Sequence, residues 1–390
     1  MIDHRQLGRE LELFGSDPLV GAGLPLWLPD GAAARHAVEE YLRELERRAG
    51  YRHVYSPPLG RRELYELSGH WEYFADDMFP PMPDGEGQLV LRPSLCPHHA
   101  LVYRSRGRSY RDLPLRIAEL GGMYRAERSG VLGGLNRVRA AQLNDAHIFC
   151  AVEQLDGEIK SFFELMSVAH AALGVRVSGY RLSLRGPGHR YVGDPADWDL
   201  AEEVLRAALG DASYVEGPGE AAFYGPKIDV QIVDPAGRES TLATIQVDFH
   251  KPARFDLSYV DSGGQRRRPV MLHRSLAGSM ERLFGHLIEV HAGAFPAWYA
   301  PVQVAVLPVG AVDEAVRFAG AAAAEGLRVE LHPEGSLAAR VRDARRVPFL
   351  AVIGAREAAA GAVSLRPRGG EAEEMPAAGA LARIRASARP

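Results

Sequence analysis

A chain of 390 residues has room for two or three domains with ample core, and its 46% apolar and 25% charged residues are the proportions of an ordinary globular protein. A formal net charge of −4 excludes a protein that coats nucleic acid non-specifically, while leaving room for a local basic patch. There is no signal peptide and no apolar run long enough to cross a bilayer, and Cys96 and Cys150 are too few for a disulfide scaffold, so the expected compartment is the cytoplasm. Lys160, Lys227 and Lys251 are the only lysines beside many arginines; a lysine kept in such a chain suggests a position that wants a compact point charge.

In chain order, Gln6 to Phe14 has helical spacing, and Gly31 to Gly50 reads as an amphipathic helix (Ala34, Val38, Tyr41, Leu42, Leu45) ending on its glycine. A strand to Val54-Tyr55 is stopped by Pro57-Pro58, Glu63 to Ser68 is helical, and Asp84 to Gly87 is a turn before the strand Gln88 to Leu91. Arg116 to Phe149 reads as a long-looped antiparallel hairpin. Its first strand breaks at Gly121-Gly122, and its second returns through Leu135 to Phe149. An arginine, a carboxylate and a histidine on such strands suit a phosphate-bearing ligand, because guanidinium matches phosphate oxygens bidentately; a surface hairpin with solvated charges fits Arg125 and Glu127 alone as well. Further on come a helix over 150–175, a strand over 176–184, a helix over 194–209 and strands between Glu220 and Phe249. Pro269 to Leu272 is a short buried strand, and a long helix runs from Ser275 to His291. Beyond Ala300-Pro301 strands alternate with helices, which predicts a small α/β domain on a mainly parallel sheet and a boundary near 298.

Tyr124-Arg-Ala-Glu-Arg-Ser-Gly130, Gly134-Leu-Asn-Arg-Val-Arg139 and Asn144-Asp-Ala-His-Ile-Phe149 together resemble motif 2 of class II aminoacyl-tRNA synthetases, most closely the threonyl-tRNA synthetases. The likeness runs along almost the whole chain, through Asp3-His4-Arg5, Gly69-His70-Trp71, Phe223-Tyr-Gly-Pro-Lys227 and Gly278-Ser-Met-Glu-Arg282. It implies an α+β class II catalytic domain over 1–298, an antiparallel sheet with flanking helices, followed by an α/β anticodon-binding-type domain over 299–390. It also implies a homodimer built through the motif 1 segment (helix 31–50, the following strand and Pro57-Pro58).

Cys96, His147 and His273 lie far apart, and each alone fits a structural role at least as well. Cys96 before Pro97 reads as a helix N-cap, where the dipole would stabilise a thiolate. Within the resemblance the three match the family's zinc ligands, and three protein ligands leave a metal position open for a substrate. The resemblance further implies that ATP, with Mg2+, activates L-threonine for transfer to tRNA. Arg125, Arg282 and Lys227 would act on the phosphate, and Glu127 and Arg137 on the rest of the nucleotide. Asp145, Tyr224 and Gln246 would line the amino-acid pocket. Cys150 reads as a buried small hydrophobe.

The departures from the family cluster. Ala140, Ala141, Gln142, Leu143 and Asn144 stand where the family has Gly-Phe-Thr-Gln-Asp, Thr241 where it has a second glutamine, Ala126 for an asparagine and Gly133 for a loop histidine. The lost phenylalanine would stack on adenine, a contact worth roughly 1–3 kcal/mol. In the C-terminal domain the polar stretch that meets the anticodon is replaced by His332-Pro-Glu-Gly-Ser336, and Glu371, Glu373 and Glu374 add negative charge where phosphate is expected. Two alternatives follow: activation of threonine, or a related β-hydroxy amino acid, for an acceptor other than tRNA, or a catalytically weak threonine-binding regulator. The family's editing domain lies upstream of the segment that is residues 3–5 here, so clearance of seryl-tRNA in cis is not expected.

Overall fold

A computed structural model describes residues 2–187 and 191–390. The chain forms two compact units, one from residues 16–25 and 42–286, the other from 2–15, 26–41 and 287–390. Among the described residues no helix is long and apolar enough to cross a membrane.

The first unit is organised on an eight-stranded sheet. Its strands are β1 (Arg52–His53), β2 (Leu115–Tyr124), β3 (Ala140–Cys150), β4 (Val177–Leu184), β5 (Tyr214–Pro218), β6 (Lys227–Val233), β7 (Glu239–Asp248) and β8 (Val270–Ser275). The spatial order is β5-β4-β6-β7-β8-β3-β2-β1. The inner pairings are antiparallel, but β1 on β2 and β5 on β4 are parallel, so the expected antiparallel sheet carries a parallel strand at each edge. β5 was not legible in the sequence; it returns beside β4 after the helix Pro195–Leu209, the crossover that a parallel pair requires.

The period of two separates the faces. Ala118, Ala146, Ile148, Leu182, Ile228, Val230, Ile245 and Leu272 pack on one face against Leu155, Ile159, Phe162 and Met166 of the helix Leu155–Leu173. On the other face register lines up Ile117, His147, His273, Gln246, Lys227 and Ser183 in one row across six strands. Beneath part of that row lies a second apolar cluster, in which Ile117 and Phe149 meet Cys96, Ala100 and Tyr103 of the helix Cys96–Arg104.

Three local expectations change. β2 does not break at Gly121-Gly122 but pairs residue for residue with β3 as far as Tyr124 opposite Ala140. Gly121 serves close packing: a Cβ there would stand 2.4 Å from Leu95 and 2.7 Å from the Arg92 guanidinium. The strand holding His273 runs on to Ser275, and the helix after it starts only at Met280. Gly278, at φ +63°, turns the chain in between.

The second unit carries a five-stranded sheet in the order Val329–Leu331, Val304–Val309, Phe349–Gly354, Ala362–Pro367, Glu373–Pro376. Its first two pairings are parallel and its last two antiparallel, so it is mixed rather than mainly parallel. Val304, Val306, Phe318, Phe349, Ala351 and Ile384 are its core. The edge strand Glu373–Pro376 escaped the sequence reading because two glutamates open it. Glu373 pairs with Arg383 and Glu374 with Arg356, which offsets the negative charge expected there.

Candidate active site

A cavity of about 750 Å3 opens on the polar row of the sheet. Asp145, Lys227, Tyr224, Gln246, His273, Arg125 and Arg282 all line it; Cys96 and His147 are buried beside it. The structure therefore gathers nine of the eleven site residues expected from the sequence. Glu127 and Arg137 pair with each other at 2.8 Å and stand outside the cavity lining.

The inner end holds Cys96, His147 and His273, whose donor atoms lie within 4.8 Å of one another. Their outer atoms are fixed in a definite order. Nε2 of His273 meets Asp248 Oδ2 at 2.8 Å, Nδ1 of His147 meets Nδ1 of His99 at 2.7 Å, and Nε2 of His99 meets Glu119 Oε2 at 3.1 Å. With both carboxylates ionised, His273 donates from Nε2 and His99 from Nε2, which leaves His99 Nδ1 to accept from His147 Nδ1. The remaining lone pairs, on His147 Nε2 and His273 Nδ1, then face each other at 2.9 Å. Burial keeps both rings neutral: His147 lies well below its ordinary pKa, and His273 is pushed down to about 4 against the pull of Asp248. Two converging neutral lone pairs repel unless a cation joins them, so the donor set fits a metal whose histidines are oriented by carboxylates behind them.

Cys96 is the first residue of its helix rather than its cap, which is Leu95. Burial pushes its thiol up to about 11 and outweighs the Lys251 charge and the Ser94 hydroxyl; a bound cation would reverse that. Glu119 is equally defined. Burial alone would raise its carboxyl, but His99, Ser56 and the Arg92 charge win and hold it at about 2. His99, Glu119, Arg92 and Asp248 were missed in the sequence; the available signal was Glu119 set among Ile117, Ala118 and Leu120 in its strand. At Asp145 burial wins instead and raises the carboxyl to about 7 against the pull of the Arg274 and Arg92 charges.

The middle of the cavity holds Tyr224, stacked on His273 with ring centroids 4.8 Å apart and its hydroxyl donated to Gln246. Lys227 pairs with Asp229, which also accepts from Ser183 at 3.0 Å and Thr244 at 3.1 Å.

The outer end is held more loosely. Arg125 follows the last residue of β2, lies over the Phe74 ring at 5.1 Å, and has a buried Nε with no hydrogen-bond partner among the described residues. The guanidinium of Arg282, in the first turn of the helix Met280–His291, reaches backbone carbonyls, Thr241 at 3.1 Å and Asn136 at 3.4 Å, and no side chain among the described residues. Ala141 is 6% exposed and pairs across the hairpin with Met123, which lines the cavity; Leu143 and Thr241 line it too. Asn144 faces away from the cavity row, where it donates to Glu46 and accepts from the Leu276 amide.

Comparison with known proteins agrees with this geometry. Residues 81–291 match the family described as tRNA synthetase class II core domain (G, H, P, S and T), and residues 303–387 match the anticodon binding domain. A crystal structure titled as the RNA binding domain of threonyl-tRNA synthetase from Cryptosporidium parvum Iowa II superposes with a TM-score of 0.94 at 32% identity, covering 100% of this chain and 99% of that one. The chain belongs to the threonyl-tRNA synthetase family of class II. Among the curated members, the threonine–tRNA ligase of Geobacillus sp. (strain WCH70) is 46% identical over 382 residues, 95% of this chain and 59% of that protein. The enzyme of the same name from Lactiplantibacillus plantarum is 46% identical over 388 residues, 96% of this chain and 59% of its own length. This chain thus spans about three fifths of the curated family members it matches.

Proposed function

We propose that this chain activates L-threonine with ATP and Mg2+ and passes the threonyl group to tRNA, with zinc held by Cys96, His147 and His273. The observation that carries the reading is one cavity with a Cys-His-His triad at its inner end and two arginines at its outer end, one of them with an unpartnered buried Nε. Bound at the triad, zinc would supply a Lewis-acid position for the substrate's amino group and β-hydroxyl, which separates threonine from the near-isosteric valine far better than an apolar pocket can. Asp145 accepts a hydrogen bond from that hydroxyl. Tyr224 and Gln246 wall the amino acid, so that its carboxylate is held toward the phosphate. Arg125, Arg282 and Lys227 supply positive charge where the α-phosphate gains negative charge in the transition state. Glu127 and Arg137 complete the nucleotide site from its rim.

The functional boundary is placed near 298, with residues 299–390 as the tRNA-facing domain. The protein is assigned to the cytoplasm as a homodimer paired through its motif 1 segment. Activation for an acceptor other than tRNA is the second reading; the stretch His332-Pro-Glu-Gly-Ser336 favours it, since it replaces the polar stretch with which the family meets the anticodon.

Amino-acid-dependent ATP–pyrophosphate exchange with threonine, serine and valine, followed by charging of tRNA, tests both. Threonine is expected to be activated best. Serine, lacking only a methyl group, should follow within about 1–3 kcal/mol, and valine should be rejected. Valine used as well as serine would remove the metal–hydroxyl mechanism. Exchange without tRNA charging would select the second reading, and no exchange at all would leave a threonine-binding protein.

A further inference from the structure

Of the three lysines, Lys251 alone has its side chain entirely withdrawn from solvent. Its Nζ lies 3.1 Å from Asp248 Oδ2 and 3.0 Å above the centroid of the Tyr224 ring. The same Oδ2 receives Nε2 of His273 at 2.8 Å. Lys251 therefore stands one carboxylate behind the triad and directly under the tyrosine of the amino-acid pocket. A buried ion pair is rarely more stabilising than apolar side chains of the same volume, so its charge needs another reason.

The formal charges supply one. The Cys96 thiolate, Asp248 and Asp145, whose carboxylate lies 3.9 Å from His147 Nε2, bring negative charge to a bound divalent cation, and Glu119 behind His99 is already balanced by Arg92. Lys251 makes the loaded cluster one unit more positive than it would otherwise be. The added charge favours a ligand that brings an ionised carboxylate. Lys251 also draws on the carboxylate oxygen that orients His273, which weakens the support behind that ligand.

We propose that Lys251 is a positioning residue that sets the charge of this metal cluster, loosening the hold on zinc in exchange for a site that attracts the ionised carboxylate of the amino acid. The inference rests on the zinc-dependent reading above. Three variants of the full chain test it: Lys251→Met, which keeps the apolar stem, Asp248→Asn, and the two combined. The readout is the rate at which zinc passes to a chromogenic chelator. Lys251→Met should slow that transfer about tenfold, Asp248→Asn should speed it about tenfold, and the pair should return close to the unsubstituted rate. In pyrophosphate exchange Lys251→Met should raise the KM for threonine several-fold and leave the KM for ATP unchanged. Zinc release from Lys251→Met as fast as from the unsubstituted protein would overturn the proposal. Where Lys251→Met alone does not fold, comparing Asp248→Asn with the pair measures the same effect, and equal rates there overturn it too. Absence of zinc from the unsubstituted protein, purified without chelator, would instead remove the reading on which the inference stands.

Discussion

The two ends of the cavity sit on the same hairpin face and differ in how their side chains are held. At the inner end Glu119, His99 and His147 form one hydrogen-bonded chain and Asp248 with His273 another, and the two meet where His147 Nε2 and His273 Nδ1 face each other at 2.9 Å. At the outer end Arg125 rests on an aromatic ring, Arg282 on carbonyls, and Glu127 is spent on Arg137. A chain of interlocked groups fixes one geometry and suffers when any member is removed, whereas loosely held groups wait for a ligand to organise them. The inner end is thus preorganised, and the outer end is left for a ligand to organise.

The largest effect should come from breaking the inner end at a ligand. Cys96→Ala is expected to abolish stoichiometric zinc and to lower threonine activation by about 10^3-fold, because the amino acid then loses its anchor as well as its discrimination against valine. Elemental analysis of protein purified without chelator, with and without the substitution, measures the first part. Full zinc in Cys96→Ala would remove that ligand from the triad.

At the outer end, Arg125→Ala should cost about 10^2 to 10^3 in the exchange rate while leaving zinc content untouched. Lys at this position should recover little, since a point charge cannot reproduce the fork that phosphate needs. A loss of zinc in Arg125→Ala would mean that the two ends are not separate as described.

Glu119→Gln probes the support behind the ligands. The glutamine keeps the shape but can accept less strongly from His99, and zinc should be lost to chelator about 10- to 100-fold faster. The carboxyl is held at about 2, below the ordinary 4.5, so its contribution to stability is fully present above pH 4.5 and disappears as pH falls toward 2. A shift of that size corresponds to on the order of a few kcal/mol, and the substitution should flatten the acid limb of an unfolding curve over that window. An unchanged acid limb would show that Glu119 is not the group that titrates there.

How legible this was in the sequence follows from alternation. In 227–232 and 244–249 polar and apolar residues alternate strictly, which ordinarily means one wet face, yet Asp229 and Gln231 are each 5% exposed and Asp248 is 0% exposed. The pattern located the strands and concealed that their polar face is an interior. The hairpin, most helices and the two-part organisation were readable because each depends on local periodicity. The triad became readable only through resemblance, since Cys96, His147 and His273 are brought together by strand register. The outermost strands were missed or misjudged for the same reason: pairing partners decide whether Tyr214–Pro218 is a strand at all. Lys251 was conspicuous as a rare residue, but nothing local said that it would be buried against Asp248.

The smallest effect concerns the base of the nucleotide. Ala141 removes an aromatic platform, and restoring it by Ala141→Phe alone would have been the natural test from sequence. The structure alters that test, because Ala141 is only 6% exposed and stands opposite Met123 on the same face of the hairpin. In a close-packed pair a long residue opposite a short one conserves volume, so in the proposed nucleotide site Met123, which lines the cavity opposite Ala141, would take the place of the missing ring and present its thioether to the base. Ala141→Phe alone should then crowd Met123 and weaken ATP. Met123→Ala alone should weaken it about fivefold by leaving no platform. The exchanged pair, Met123→Ala with Ala141→Phe, should bind ATP at least as well as the unsubstituted protein, with threonine affinity unchanged in all three. ATP titrations of pyrophosphate exchange decide it. If the exchanged pair is worse than either single change, the base does not lie on this face, and the outer end binds its nucleotide in another orientation.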